Sequence, residues 1–438
     1  MDLEQKYKEA YASLEKVVKS RVDNQYFTAM GYTSNLDLLC DFNIEKMNHL
    51  LEEYMPDAQL HKMEKVAVIR NIEDMLSTIV YFCAHGIGGE VDVENMEIIK
   101  ESFDYSNGMG GTAVQAAMAI AEVGCPSLVH LTDDSKEVCK ILESPFIYSV
   151  STEGKLVHTD KITQTNEQEI HYIIQFKKGD KICLGNQEIE IPCSNRLILT
   201  KITVNETVPF SKQYFEWIEK NASKVRSNVL SSFNALSDID ILKEHLEYVR
   251  EHVYKYKENN PEGIVFFEDA HYHNDVIKKT CLETIYSVVD VVSLNEEELE
   301  YTLKNMYNYN VDINNIISCI EGAKFIQKKF GVKKGIIVHT KDYSMYVGAD
   351  LKTDVEKGLM YGNMLATAKA NNGLYGTMEQ IEEVLEFDLS AKGVKNYQEV
   401  KNSQYSSEVV IVPSKYIDKP KYTIGLGDSF VGGVQICF

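Results

Sequence analysis

From Lys224 onward, apolar strand-like runs alternate with long helical patterns, and this alternation constrains the fold more than any other feature of the chain. Strand patterns fall at 225–230, 263–268, 288–294, 335–339 and 408–412. Helical patterns lie between them at 239–257, 274–286, 296–306 and 314–330. A strand, a helix and a second parallel strand close as a right-handed unit, so a series of them builds a parallel sheet. The run Val-Val-Asp-Val-Val-Ser-Leu at 288–294 is apolar on both faces, as suits a strand covered by helices on both sides. A further strand is expected at 25–31. Gly108 to Gly111 opens a small-residue helix, a short strand follows at 126–131, and 48–71 reads as mainly helical.

Between 147 and 204 the rhythm is different. Runs such as His171-Tyr172-Ile173-Ile174 alternate in the β manner, and Lys178-Gly179-Asp180 and Gly185-Asn186 supply turns, so antiparallel strands are expected. The reading is an α/β protein in two parts. A large domain with a mainly parallel central sheet takes mainly 1–34, 106–150 and 216–438. A smaller β-rich lid takes approximately 35–105 in part and 151–215. A chain of 438 residues is long enough for both cores. Ligands bind at the carboxyl ends of strands in such sheets, so motifs there carry the most weight.

Charge narrows the partners. A formal net charge of −21 repels a phosphate backbone, which argues against nucleic acid. No apolar run reaches the roughly 18 residues of a membrane span. The first 19 residues are charged throughout and hold no signal-peptide core. Nine scattered cysteines without a Cys-x-x-Cys pair fit reduced thiols better than zinc ligands or a disulfide framework. A soluble, cytoplasmic protein acting on small molecules is expected.

The strongest motif is Thr423-Ile424-Gly425-Leu426-Gly427-Asp428-Ser429-Phe430-Val431-Gly432-Gly433. Gly425 and Gly427 let the backbone turn tightly and approach a ligand. The N–H groups at the helix start then form an anion hole for a phosphoryl group. Asp428 beside that hole can take a proton from an attacking hydroxyl; read blandly, it is only a helix N-cap. Near the first strand, Asn35 and Asp37 point to one face of an extended segment, where an amide and a carboxylate can hydrogen-bond vicinal hydroxyls. No Gly-x-Gly-x-x-Gly follows the first strand, which disfavours a Rossmann dehydrogenase.

With its Gly-x-Gly-Asp motif near the C-terminus, the chain resembles the ribokinase-like superfamily. More specifically it looks like the ADP-dependent glucokinase and phosphofructokinase family, from about Gly31 to Phe438. The resemblance implies a ribokinase-like three-layer fold with a lid. It also implies ADP as phosphoryl donor with Mg2+, and transfer of the terminal phosphoryl group to glucose or fructose 6-phosphate. Asp428 is then the base, and Gly425 and Gly427 shape the phosphoryl hole. Asn295-Glu296-Glu297-Glu298 resembles the family's Asn-x-x-Glu, whose Glu arranges magnesium through water. Glu268 matches the Glu of a His-x-Glu strand end, although Phe266 stands where the family has His. Arg196, in Asn195-Arg196-Leu197-Ile198, is similar to an Arg that reaches the nucleotide phosphates, for which its planar fork is apt. His339 and Thr340 resemble the edge of the adenine pocket.

For the sugar, the resemblance implies contacts from Asn35, Asp37, Glu90, Gly110, Gly111, Thr112, His171 and Asn234, with Thr112 replacing the usual Gln or Asn. Glu90 leans toward an unphosphorylated sugar such as glucose. Fructose 6-phosphate needs a cationic pocket, to which Lys177, Lys178 and Arg226 could contribute. Two alternatives share these residues. An ATP-dependent carbohydrate kinase of the same superfamily would use the same phosphate hole. A non-catalytic sugar sensor on this scaffold would be consistent with Phe266 and Thr112.

Overall fold

In the computed structural model, which describes residues 2–40 and 42–438, the chain after Lys224 supplies six strands of a ten-stranded sheet. The spatial order is Val409–Pro413, Tyr343–Gly348, Gly335–His339, Val291–Asn295, Ile264–Glu268, Val225–Leu230, Phe27–Met30, Ser127–Val129, Ile147–Val150, Leu156–His158. The strands from Gly335–His339 through Ile147–Val150 are parallel. Helices Ile239–Asn259, Asp275–Thr284 and Ile316–Phe330 connect successive strands. Each begins where a side chain takes over an orphan N–H: Asp238, Asn274 and Asn315 accept from first-turn amides. Inward residues such as Val265, Phe267, Val292, Ile336 and Val338 are buried in one core.

The sheet is not parallel to its end. Thr340 accepts from the N–H groups of Asp342 and Tyr343, each at 3.0 Å. That tight turn sends Tyr343–Gly348 back antiparallel, and Val409–Pro413 pairs antiparallel beyond it.

The chain divides into two units. The larger comprises Met1–Ser34, Gly111–Gln164 and Glu206–Phe438; the smaller comprises Asn35–Gly110 and Thr165–Asn205. The smaller unit has a six-stranded sheet in the order Val68–Ile69, Gly89–Val93, Asn195–Lys201, Ile170–Phe176, Asn35–Cys40, Tyr105–Gly110. A hairpin of Lys181–Leu184 with Gln187–Glu190 adds to it. Its separate core holds Met75, Leu76, Ile79, Tyr172, Ile174, Leu197 and Leu199. Among the described residues no helix is long and apolar enough to cross a membrane.

Several expectations need correction. Residues 106–110 belong to the smaller unit, because Tyr105–Gly110 pairs with Asn35–Cys40. Residues 151–164 and 206–215 belong to the larger unit. There Leu156–His158 closes a hairpin on Ile147–Val150. The helix expected at 48–71 is Ile44–Tyr54. Pro56 lacks an N–H and disfavours helical geometry in the residue before it, so the helix stops there. The strands at 170–201 are not uniformly antiparallel: Asn195–Lys201 is antiparallel to Ile170–Phe176, but Asn35–Cys40 joins the latter in parallel. The helix expected at 296–306 forms, as an α-helix over Glu296–Glu300 that continues as a π-helix over Tyr301–Met306.

Candidate active site

In the larger unit, the glycine–aspartate motif opens the helix Leu426–Gln435. Gly425 caps it with φ 68°, a left-handed conformation that favours glycine. Space demands glycine as well: a methyl group here would lie 2.1 Å from Gln115 Oε1. The first N–H groups of the helix have no intrahelical carbonyl and carry the positive end of its dipole. Asp428 lies in that first turn and is half-buried. Burial pushes its pKa up to about 6, and the Glu268 carboxylate acts in the same direction. Lys369, a hydrogen bond from Thr112 and His339 pull the other way. Such a carboxyl is ionised at neutral pH yet basic enough to accept a proton.

Thr112 reaches Asp428 because it is the first residue of the helix Thr112–Ala121, directly after Gly111. Gly111 has φ 102°, and a methyl group there would lie 2.3 Å from the Thr33 carbonyl oxygen. The loop can therefore pass close to the first strand's end only with glycine at this position.

Glu268 ends the strand Ile264–Glu268, and His339 ends Gly335–His339. His339 Nε2 lies 3.1 Å from Glu268 Oε1. Burial disfavours the charged imidazole, but the Glu268 hydrogen bond and the Glu268, Glu298 and Glu296 carboxylates outweigh it and leave the pKa raised. Glu268 Oε2 is buried without a hydrogen-bond partner. Phe266 points into the core instead and is fully buried. Asn295 and Glu298 form a capping box: Asn295 N donates to Glu298 Oε2 at 2.9 Å and Glu298 N donates to Asn295 Oδ1 at 2.9 Å. Burial raises the Glu298 pKa, and the Asp269 and Glu268 carboxylates add to the shift.

A cavity of about 470 Å³ adjoins this cluster, lined among others by Asn295, His339, Thr340, Tyr416, Gly427 and Phe430. Its wall includes the His339 ring stacked on Phe430, with centroids 4.8 Å apart and planes 30° apart. A flat apolar wall, a few polar groups and a helix N-terminus suit a nucleotide. Asn234 follows the strand Val225–Leu230 and donates to the His271 carbonyl at 3.2 Å. Arg226 is not available to a phosphate at the strand ends. It is the second residue of its strand, lies 5.1 Å from the Tyr26 ring centroid and faces the Phe438 carbonyl.

The smaller unit has its own polar cluster. Asn35 and Asp37 share a strand face, and Asn35 Nδ2 donates to Asp37 Oδ1 at 2.7 Å. His171 lies beside them: its Nδ1 is 3.2 Å from Asn35 Nδ2 and 3.9 Å from Asp37 Oδ1. Its Nε2 is 3.2 Å from Glu169 Oε1. Burial opposes a charge on His171, but the bond to Glu169 and the Asp37, Glu169 and Glu90 carboxylates prevail and raise its pKa. Glu169 is itself anchored, accepting from Thr203 N at 2.7 Å and Thr203 Oγ1 at 2.6 Å. Gly110 stands opposite Asn35 in the sheet, and a methyl group on it would strike the Asn35 amide. Glu90 is exposed on Gly89–Val93, and Arg196 is exposed on the adjacent strand Asn195–Lys201. Lys177 and Lys178 are exposed in the turn after Ile170–Phe176.

Two groups beside these clusters escape a motif-based reading. Glu169 is 1% exposed and has a faint signal, since it lies two residues before His171 and so on the same strand face. Lys369 is 3% exposed and comes from the helix Val355–Asn372. Its only signal is a lone lysine among alanines, Ala366-Thr367-Ala368-Lys369-Ala370.

Comparison with known proteins points the same way. The model of the ADP-specific phosphofructokinase/glucokinase conserved region matches residues 28–433. An ADP-dependent glucose/glucosamine kinase of Pyrococcus abyssi is 25% identical over 98% of this chain and 97% of its own length. An ADP-specific phosphofructokinase of Pyrococcus furiosus is 23% identical over 93% of this chain and 96% of its own. The solved structure of the last common ancestor of ADP-dependent phosphofructokinases from Methanosarcinales shares the fold, with a TM-score of 0.79 at 21% identity over 100% of this chain and 98% of that one.

Proposed function

Because the chain belongs to the ADP-specific phosphofructokinase/glucokinase family, we propose that it is a sugar kinase that moves the terminal phosphoryl group of ADP onto a hydroxyl of an uncharged hexose, glucose above all. The observation that carries this reading is Asp428. It is a carboxyl with a pKa of about 6, set in the first turn of a helix whose N-cap is a left-handed glycine. Asp428 accepts the proton of the attacking hydroxyl. The N–H groups at the start of Leu426–Gln435 hold the moving phosphoryl group. The cavity beside Asn295, His339, Thr340 and Phe430 takes the nucleotide. Arg196 pairs with the donor phosphates, and positioning with fixed charge supplies most of the acceleration.

The residues fit a magnesium ion. Glu268 Oε2 is buried without a partner, and Glu298 is raised by burial and by two neighbouring carboxylates, a repulsion that a divalent cation would relieve. No three such side chains among the described residues converge to grip a metal directly. Glu268 and Glu298 would hold the ion, which keeps most of its water shell. When bound, the ion screens the negative charge of the donor phosphates.

The acceptor reading rests on Asn35, Asp37, Glu90, His171 and Glu169. Asp37, Glu90 and Glu169 surround the His171 ring with negative charge. That set hydrogen-bonds hydroxyls well and repels a second phosphate, which favours glucose over fructose 6-phosphate. Nine free cysteines support a reducing compartment, hence the cytoplasm.

The test is a turnover assay with Mg2+, crossing ADP and ATP against glucose and fructose 6-phosphate, with Asp428→Asn in parallel. ADP with glucose should give the highest kcat/KM. Asp428→Asn should lose roughly 10²–10⁴-fold in kcat while calorimetry still registers glucose binding. Faster turnover with fructose 6-phosphate would reverse the acceptor. A near-normal Asp428→Asn would remove Asp428 from its role.

A further inference from the structure

A buried ammonium is costly unless something fixed compensates it. Lys369 is 3% exposed, and its surroundings are built to hold it. Its Nζ donates to Gln115 Oε1 at 3.2 Å and sits 3.8 Å from the centroid of the Tyr375 ring. The Tyr375 hydroxyl donates to the same Gln115 oxygen at 3.1 Å. Two donors on one oxygen fix the orientation of the amide, and the Tyr422 ring also faces the ammonium, 5.9 Å from its centroid. This seat abuts the start of the phosphoryl-binding helix: a methyl group on Gly425 would lie 2.6 Å from Lys369 Nζ. Gln115 and the Tyr375 ring are neutral, and Lys369 acts electrostatically on the Asp428 carboxylate.

We propose that Lys369 is a positioning residue for Asp428: its ammonium, seated by Gln115 and Tyr375 against Gly425, keeps the base charged and docked in the first turn of the helix. The groups that face Asp428 come from four elements. Glu268 ends one strand, His339 ends another, Thr112 begins one helix and Lys369 lies within another. Glu268 works against the charge on Asp428, whereas Thr112, His339 and Lys369 work for it. His339 is held by Glu268 and Phe430, whereas Lys369 is held by neutral groups at the very start of the helix that carries Asp428. The proposal rests on Asp428 being the base, and the test separates the two ideas.

The decisive measurement is a difference-infrared titration of the full chain without substrates, following the protonated carboxyl band that disappears in Asp428→Asn. Lys369→Met should move its midpoint to higher pH by about one unit, and Lys369→Arg should restore it. In the turnover assay the acid limb of kcat should follow. At pH 6 kcat should fall about fivefold in Lys369→Met, as expected when a half-ionised group is shifted by one unit, while KM for both substrates stays close to normal. A general packing defect would not move that limb. Should Lys369→Met fail to fold, Gln115→Leu removes the seat while keeping the ammonium, and the same upward shift is expected. An unmoved carboxyl midpoint in the folded variant overturns the proposal whatever the kinetics. A shifted midpoint with an unmoved kinetic limb supports the coupling and removes Asp428 as the base.

Discussion

His171 is held among carboxylates, and at the scale of a residue that makes stability depend on pH with a definite sign. Its pKa in the folded chain is raised. The stability it contributes is therefore fully present below the unfolded value of about 6.5 and is lost as pH rises through the folded value. Urea unfolding across that window should show wild-type stability falling with pH, and His171→Asn should flatten the slope. An equal slope in both proteins would mean that the imidazole is not charged in its pocket. Short motifs single out Asp37, His171 and Asp428 in the sequence because they fix the neighbours of each. They miss Glu169 and Lys369 because burial alone gives them their weight. A glutamate at 1% exposure reads in sequence like any other glutamate. Lys369 meets Gln115, more than two hundred residues away in the chain, and no local pattern encodes that meeting.

Elements follow local rules more closely than sites do. The helix start at Gly425 needs a left-handed residue and no side chain, since a methyl group would strike Gln115 Oε1. Gly425→Ala should cost about 1–2 kcal/mol from the backbone alone, with more from the clash. A thermal melt should register the loss, and kcat should fall with it because the phosphoryl hole is displaced. An unchanged melting temperature would show that the turn tolerates a side chain. The parallel strands were legible because apolar runs between long helices have few other solutions. Tyr343–Gly348 was not, since its antiparallel direction is set by the Thr340 turn rather than by its own pattern. The helix expected at 48–71 ran too far because its polar residues kept a helical rhythm beyond Pro56, where backbone geometry ends it.

At the scale of the whole molecule, the larger unit is tied together by residues far apart in the chain. Arg21 is 3% exposed and donates to Thr28 Oγ1 at 3.0 Å and to the Gln435 carbonyl at 2.7 Å. It joins the first helix, Leu3–Asp23, to the end of the helix that carries Asp428. Arg21→Met should cost about 2–3 kcal/mol, the usual worth of hydrogen bonds to a charged donor. Denaturant unfolding would measure it, and a loss under half a kilocalorie would mean that the two helices hold without it. The change of rhythm near 147 does not mark an edge of either unit, since the chain crosses into the smaller unit only at Thr165. Strand pairing rather than composition decides where 106–110 and 151–164 belong. The sheet's order also sets a clock. Phe27–Met30 lies inside the sheet, yet its partner Val225–Leu230 is synthesised about 200 residues later, roughly 10–40 s at ribosomal speed. Until Ser127–Val129 is made, this four-residue strand lacks both native neighbours, and for the rest of the interval it lacks one. The pairing that places this strand inside the sheet is thus a late, non-local event, of the kind that folds slowly and leaves strand edges open while it waits.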